Sequence, residues 1–404
     1  MSHLLTVNSG SSNTKFAVYD VSAAVPKLEL RARLETSADN ALIVWDGQGK
    51  STSEPSWRTA GGKVDEVIPD LVSWFEQRLG APVSAVGHRI VHGGPDFSEP
   101  VKADEAVLRA LQDLTPLAPL HQADSLAAVH AIALARPGLP QALSFDTAFH
   151  RGHDPVVDRL GLPRAWEGRG LRRYGFHGLS YEYVSGRLAE LDSQLAAGRV
   201  IAAHLGSGAS LCAMLGGRSV DTTMGATPLD GLLMGTRCGA LDPGVILFLQ
   251  QAHGLGVTEL TDLLYRQSGL LGVSGISADM RVLLESQEVP AKEAVELFVF
   301  RVAREAAALT GSLGGLDAFI FTGGTGENAP EVRAAVCRRL EWLGIELDDA
   351  ANLRGDARIS SGGSRVAVWV IPTDEEQMIV SHTLAALGLS ASDRAGVDGE
   401  KRIL

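Results

Sequence analysis

Only three cysteines occur in the 404 residues, Cys212, Cys238 and Cys337, and their spacing suits neither a disulfide framework nor a metal-ligand set. Reduced thiols in a cytoplasmic protein are the expectation. Long apolar runs are also missing. The longest, such as Val366–Ile371, fall far short of the ~20 residues that span a bilayer, so no membrane partner is expected. No N-terminal stretch joins a basic region, an apolar run and a cleavage site; Leu4–Val7 runs straight into Asn8 and a glycine turn. Basic residues are in deficit, 36 Lys and Arg against 48 Asp and Glu, for a formal net charge of −12. Sequence-independent nucleic-acid binding needs cations in excess to neutralise phosphates, so no nucleic-acid partner is expected. An anionic substrate must then be held by locally placed cations and backbone amides. The Walker pattern G-x-x-x-x-G-K-[ST] is absent as well, which disfavours a P-loop fold.

What is present is a set of short apolar runs that end in glycine turns, mostly followed by helical patterns. Leu4–Val7 leads to Asn8-Ser9-Gly10-Ser11-Ser12, and Phe16–Tyr19 reads as the returning strand of a hairpin. Val200–Ala203 leads to His204-Leu205-Gly206-Ser207-Gly208, with Leu211–Leu215 returning. Ala318–Phe321 leads to Thr322-Gly323-Gly324-Thr325-Gly326, a third turn that opens onto a helix carrying Val332. Val295, Phe298, Val302, Ala306 and Leu309 recur at three- and four-residue spacing and mark one buried helical face. Strands alternating with helices argue for α/β layers. The Gly-Ser hairpin near residue 4 and its echo near residue 200 suit a duplicated α/β domain with a nucleotide in the cleft; two unrelated hairpins remain the alternative. Residues 36–63 are polar with scattered Gly and Ser and read as irregular surface structure, and residues 390–404 read as a tail.

Successive amides in glycine turns form anion-binding concavities, and the missing Cβ lets a phosphate approach closely. The first turn adds hydroxyls and Lys15; the second offers His204, Gly206, Ser207 and Gly208; the third offers Gly323, Gly324, Gly326 and Asn328. Each alone is as consistent with a plain turn. Arg89, between His88 and His92, and Arg237, in Gly-Thr-Arg-Cys-Gly, suit surface ion pairs or a bidentate clamp on phosphoryl and carboxylate oxygens. Asp146 follows an apolar strand and suits either orientation of a reacting group or helix capping. His177 lies between glycines in Tyr-Gly-Phe-His-Gly, and Glu375-Glu376 supply hard oxygens of the kind magnesium accepts, or a solvated acidic pair.

In this order, Asn-Ser-Gly-Ser-Ser, Gly-His-Arg-Ile-Val-His-Gly-Gly, Phe-Asp-Thr-Ala-Phe-His, Arg-Tyr-Gly-Phe-His-Gly, His-Leu-Gly-Ser-Gly-Ala-Ser, Gly-Thr-Arg, Ile-Ser-Ala-Asp-Met-Arg and Thr-Gly-Gly-Thr-Gly-Glu-Asn resemble the acetate kinase family. That family belongs to the actin, Hsp70 and sugar-kinase (ASKHA, ribonuclease H-like) superfamily. The motifs run from Asn8 to Glu376, almost the whole chain. The resemblance implies two duplicated α/β ASKHA domains with an interdomain cleft. The first covers 1–149 and is completed by a C-terminal helix at 375–389; the second covers 150–374 and carries most of the nucleotide site. It implies ATP and ADP as co-substrate, acetate and acetyl phosphate, a magnesium (or manganese) ion, and a homodimer.

By resemblance, Asn8 and Glu375 belong to the metal site, and Arg89 and Arg237 grip the carboxylate and the phosphoryl group. Asp146 is the family's catalytic aspartate; His177 and His204 contact the transferred and terminal phosphates. Asp279 and Arg281 belong to the nucleotide site with Gly323, Gly324 and Gly326. Val91, Leu120, Phe176 and Pro228 form the pocket for the substrate methyl group, and valine at 91 favours acetate over propionate. Four positions depart from the family pattern: Asn13 for serine, Tyr181 for histidine, Ser207 for asparagine and Ala240 for an acidic residue. They bear on nucleotide preference and rate. The implied reaction is direct in-line transfer. The alternatives are a propionate or butyrate kinase and, more remotely, a non-metabolic ATPase of the same superfamily.

Overall fold

A computed structural model describes residues 3–10, 13–35, 42–46, 49–54, 64–119 and 121–389. The chain divides into two compact units, Met1–Ala148 with Asp374–Leu404, and Phe149–Thr373. No helix among the described residues is long and apolar enough to cross a membrane.

The first unit is built on eight strands: β1 (His3–Ser9), β2 (Asn13–Asp20), β3 (Lys27–Glu35), β4 (Leu42–Asp46), β5 (Ser51–Glu54), β6 (Val83–Ile90), β7 (Val101–Lys102) and β8 (Gln141–Phe145). Their order is β5-β4-β3-β2-β1-β6-β8-β7, with β1, β6 and β8 parallel and β1 to β5 an antiparallel meander. β1 is buried on both faces, which is why it reads as one near-continuous apolar run. Helices Val64–Leu79 and Gln122–Ala135 cover one face, packing Ile68, Leu71, Phe75 and Ile132 on Leu5, Val7, Phe16 and Val18. The opposite face receives the helix Glu375–Ala386, which sets Val380 and Leu384 on Leu4, Ala17, Tyr19 and Ala85. Gly87 on β6 permits that approach: a Cβ there would lie 2.1 Å from Thr383 Oγ1 and 2.6 Å from Ile379 Cγ2. The start of this helix is thereby held at the end of β1.

The stretch read as irregular surface structure is in part sheet. β4 and β5 lie within residues 36–63, and Leu42 and Val44 are buried while Ile43 between them is only half-buried. That is period-two alternation, carried by so few residues among Gly and Ser that composition concealed it.

The second unit carries β9 (Arg199–Leu205), β10 (Ala209–Leu215), β11 (Arg218–Thr222), β12 (Ala318–Thr322) and β13 (Ala367–Val370) in the order β11-β10-β9-β12-β13. β9 to β11 form an antiparallel meander, and β12 and β13 run parallel to β9. The strands β3-β2-β1-β6-β8 of the first unit have the same order and the same directions. Each sheet therefore places a glycine hairpin at the end of its first strand. Helix Gly178–Leu191 packs Tyr181, Val184 and Leu188 on Val200, Ala202, Cys212 and Ile320. Helix Val289–Leu313 lies against β10 and β11, with Phe298, Val302, Ala306 and Leu309 buried at the spacing read from the sequence.

Candidate active site

In the first unit the polar side chains gather where β1, β6 and β8 end. Arg89 lies near the end of β6, and Asp146 follows β8. Parallel pairing sets Ile90 against Phe145, so the two strands present these groups side by side. Arg89 donates from Nε to Asp146 Oδ1 at 2.9 Å and from Nη2 to Asp146 Oδ2, a bidentate pair. Both side chains are nearly buried, 12% and 1% exposed. Burial opposes the guanidinium charge, but the Asp146 carboxylate, with Glu375 and Glu376 adding to it, more than offsets this and raises the Arg89 pKa. Nη1 also reaches the Ser9 carbonyl at 3.3 Å and Asn8 Oδ1 at 3.4 Å, tying Arg89 to the first glycine turn.

Asn8 Nδ2 donates to Glu375 Oε2 at 2.8 Å and to Glu376 Oε1 at 3.3 Å. Burial raises the Glu376 pKa, and Glu375 and Asp374 add to the rise, while Lys15 opposes it. Lys15 is exposed and lies opposite Asn8 across the hairpin. These hard oxygens suit magnesium, which takes one or two carboxylates and keeps waters or phosphate oxygens for the rest. Among the described residues, no three His, Cys, Asp or Glu side chains gather to hold an ion on their own.

In the second unit His177, His204, the Gly206–Gly208 turn and Arg237 come together. The rings of His177 and His204 stack at 4.3 Å between centroids. His177 is the one non-glycine described residue with positive φ, at 58°, where it caps helix Gly178–Leu191. Such backbone strain marks functional sites more than it marks loops in general. A Cβ on Gly208 would lie 2.7 Å from Arg237 Nη2 and 3.1 Å from His177 Nε2, so the cation and the imidazole both face this glycine. The Gly235 amide donates to the Ser207 carbonyl at 3.1 Å, and Arg237 Nη1 donates to the Pro228 carbonyl at 2.6 Å. Gly206 closes its turn by donating to the Gly208 carbonyl, and Ser207 is exposed at the tip.

The third glycine turn is instead a short helix, Gly323–Asn328, capped by Thr322. Gly323 adopts φ 77°, which lets the chain leave β12 directly into helical turns. Glu327 Oε1 accepts from the amides of Gly323 at 2.9 Å and Thr373 at 3.2 Å. The buried Arg333 donates to the carbonyls of Gly326 and Glu327 at 3.0 and 2.8 Å, satisfying the end of this helix. Gly324 and Asn328 are exposed, and Gly326 is buried. Asp279 caps helix Met280–Glu285 and pairs with Arg281 at 2.6 Å; the Arg281 side chain is 83% exposed.

Of the apolar pocket residues, Val91 is buried in the first unit and Phe176 and Pro228 are buried in the second. Leu120 lies outside the described residues, as do Ser11 and Ser12 of the first turn. Sequence reasoning assigned no role to Glu327, Arg333, Ser210 or His150. Glu327, Ser210 and His150 stand inside motifs it used, yet each has a partner far off in the chain: Glu327 accepts from the Thr373 amide, His150 Nε2 contacts the Phe176 carbonyl at 2.9 Å, and Ser210 contacts His177.

The sequence pattern of the acetokinase family matches residues 3–381. The acetate kinase of Rhodopseudomonas palustris is 48% identical over 94% of this chain and 97% of its own length. That of Rhizobium meliloti is 44% identical over 96% and 99%. The crystal structure of Porphyromonas gingivalis acetate kinase superposes with a TM-score of 0.83 at 35% identity, covering 96% of this chain and all (100%) of that one. A Francisella tularensis propionate kinase structure gives 0.86 at 34%, covering 95% and 99%. With its mixed α/β fold of the ASKHA class, the chain belongs to the acetokinase family.

Proposed function

We propose that this chain transfers the γ-phosphoryl group of ATP to acetate, reversibly, to give acetyl phosphate and ADP. The observation that carries this reading is the pair of cation clusters, Arg89 on Asp146 in one unit and Arg237 beside His177 in the other; the serines bonded to the imidazoles, Ser180 and Ser210, are fully buried and out of reach as nucleophiles. A carboxylate is already ionised at neutral pH and needs no strong base. Its oxygen attacks the γ-phosphorus in line, the bond to the ADP oxygen breaks, and no phosphoryl-enzyme forms. What the residues supply is position and charge. Arg89 is locked in orientation by Asp146, whose two oxygens are both engaged, so Asp146 acts by aiming the guanidinium. Arg237 and His177 donate to phosphoryl oxygens, and the Gly206–Gly208 turn, His204 and helix Gly323–Asn328 supply phosphate contacts. Asp279, Arg281 and Asn328 serve the nucleoside end, and Lys15 adds charge beside Glu376.

Asn8, Glu375 and Glu376 would hold a magnesium or manganese ion. Such an ion neutralises charge on the nucleotide phosphates.

Val91, Phe176 and Pro228 are read as the wall for the substrate methyl group, with acetate preferred. A propionate kinase is the second reading, since the Francisella propionate kinase shares this fold and a shared fold does not choose between two acids that differ by one methylene. An added methylene is worth only ~1–3 kcal/mol in such pockets, so cross-activity is expected. Trapping acyl phosphate with hydroxylamine from acetate, propionate and butyrate side by side decides the matter. Acetate should give the highest kcat/KM; a propionate rate above it, or ATP turnover that ignores all three acids, would overturn the assignment.

The homodimer reading is supported by helix Pro243–His253, which has no buried residue although Leu247 and Phe248 are 55% and 57% exposed. Leu247→Glu with Phe248→Glu should convert a dimer to monomers by sedimentation velocity; an unchanged mass would remove this helix from the interface. Three free thiols fit the reducing cytoplasm.

A further inference from the structure

Tyr181, Ser210 and His177 form one buried chain of hydrogen bonds. The Tyr181 hydroxyl lies 2.6 Å from Ser210 Oγ, which lies 2.8 Å from His177 Nδ1. Tyr181 and Ser210 have no exposed surface, and His177 is 9% exposed. Helix Gly178–Leu191 brings Tyr181 beneath the histidine that caps it, and Ser210 stands opposite His204 across the β9–β10 hairpin.

The direction of the chain follows from its fixed end. Among the described residues, the one hydrogen-bond acceptor beside the Tyr181 hydroxyl is Ser210 Oγ, and a buried phenol proton needs an acceptor. The phenol's own proton is therefore turned to Ser210 Oγ. Burial raises the phenol pKa well above 10, so that proton stays at neutral pH. Having accepted there, Ser210 has its hydrogen left for His177 Nδ1. The reverse arrangement would leave the phenol proton buried without an acceptor.

We infer that Tyr181 and Ser210 are positioning residues that hold His177 as the tautomer protonated on Nε2, so that a donor faces Gly208 and Arg237. This deepens the kinase reading and rests on His177 contacting the phosphoryl group. A neutral imidazole has one N–H, and placing it on Nε2 makes His177 a donor where negative charge develops. His150 Nε2 contacts the Phe176 carbonyl beside His177 at 2.9 Å, a tie to the backbone there that does not pass through the two hydroxyls. The neighbouring Ser180 contacts His204 Nδ1 at 2.8 Å, so one helical turn orients both stacked imidazoles.

The test is ¹⁵N NMR of histidine-labelled full-length protein without substrate, with His177→Gln to assign the signal. Wild type should show His177 protonated on Nε2 with a bare Nδ1. Tyr181→Phe and Ser210→Ala should shift His177 to mixed tautomers and lower kcat by about tenfold, the low end for losing a partner that orients a functional histidine. KM for acetate and ATP should stay unchanged, and Ser210→Thr, which keeps the hydroxyl, should keep the tautomer. Wild type protonated on Nδ1 would overturn the inference even if the variants fail to fold. So would Tyr181→Phe with an unchanged tautomer or unchanged kcat. A wild-type chain that forms no acyl phosphate sinks the kinase reading instead and leaves the tautomer result standing.

Discussion

Arg237→Ala should lower kcat for acetyl phosphate formation by about 1,000-fold or more, the range an arginine contributes to a phosphoryl-transfer transition state. Arg237 has its Nη1 on the Pro228 carbonyl and its Nη2 against Gly208, so loops of the second unit hold its plane. It spans no core cluster, and the fold should persist. Arg237→Lys should recover only part of the rate, since an ammonium keeps the charge but loses the planar fork. Arg89→Ala should show a loss of similar size. The hydroxylamine assay at saturating ATP and acetate reads both, with circular dichroism to confirm folding. A kcat within tenfold of wild type in either variant removes that arginine from the mechanism.

Asp146→Ala should cost about 3–5 kcal/mol of stability, because it leaves the Arg89 charge buried without its partner. The Arg89 side chain is only 12% exposed, so water cannot replace the carboxylate well. Removing both members should cost less than the two single losses summed, since the double variant strands no charge. Urea denaturation of the four species gives the coupling directly. Additive losses would mean that the pair contributes nothing specific, and Asp146 would then need another explanation. Asp146→Ala should also lower kcat, through an Arg89 free to leave its orientation.

Much of the site was legible because its chemistry is local in the chain. Glycines at strand ends, a histidine between glycines and an arginine between two histidines each leave a short pattern. The hairpins around Asn8–Gly10 and His204–Gly208 follow from apolar runs interrupted by residues that favour turns, and the structure has both. The third glycine run looked the same but is a helix, because Glu327 and Arg333 tie down its two ends. β4 and β5 were hidden for a different reason: they are short strands at the sheet edge, and their alternation is shorter than the noise of a polar stretch.

The sequence by itself determined the family and the class of chemistry, since these depend on residue types at fixed spacing in order. It also determined the two meanders, through apolar runs and turns close together in the chain. Only the tertiary structure decided how the side chains are partnered. Arg89 and Asp146 are 57 residues apart, and Asn8 and Glu375 are 367 apart. Their meeting depends on the parallel register of β6 and β8 and on the last helix packing over Gly87. The Tyr181–Ser210–His177 chain is of the same kind: its direction is set by the one acceptor that packing leaves beside the buried phenol. A charge's partner and a proton's position are properties of packed neighbours, and packing joins positions that no local pattern relates.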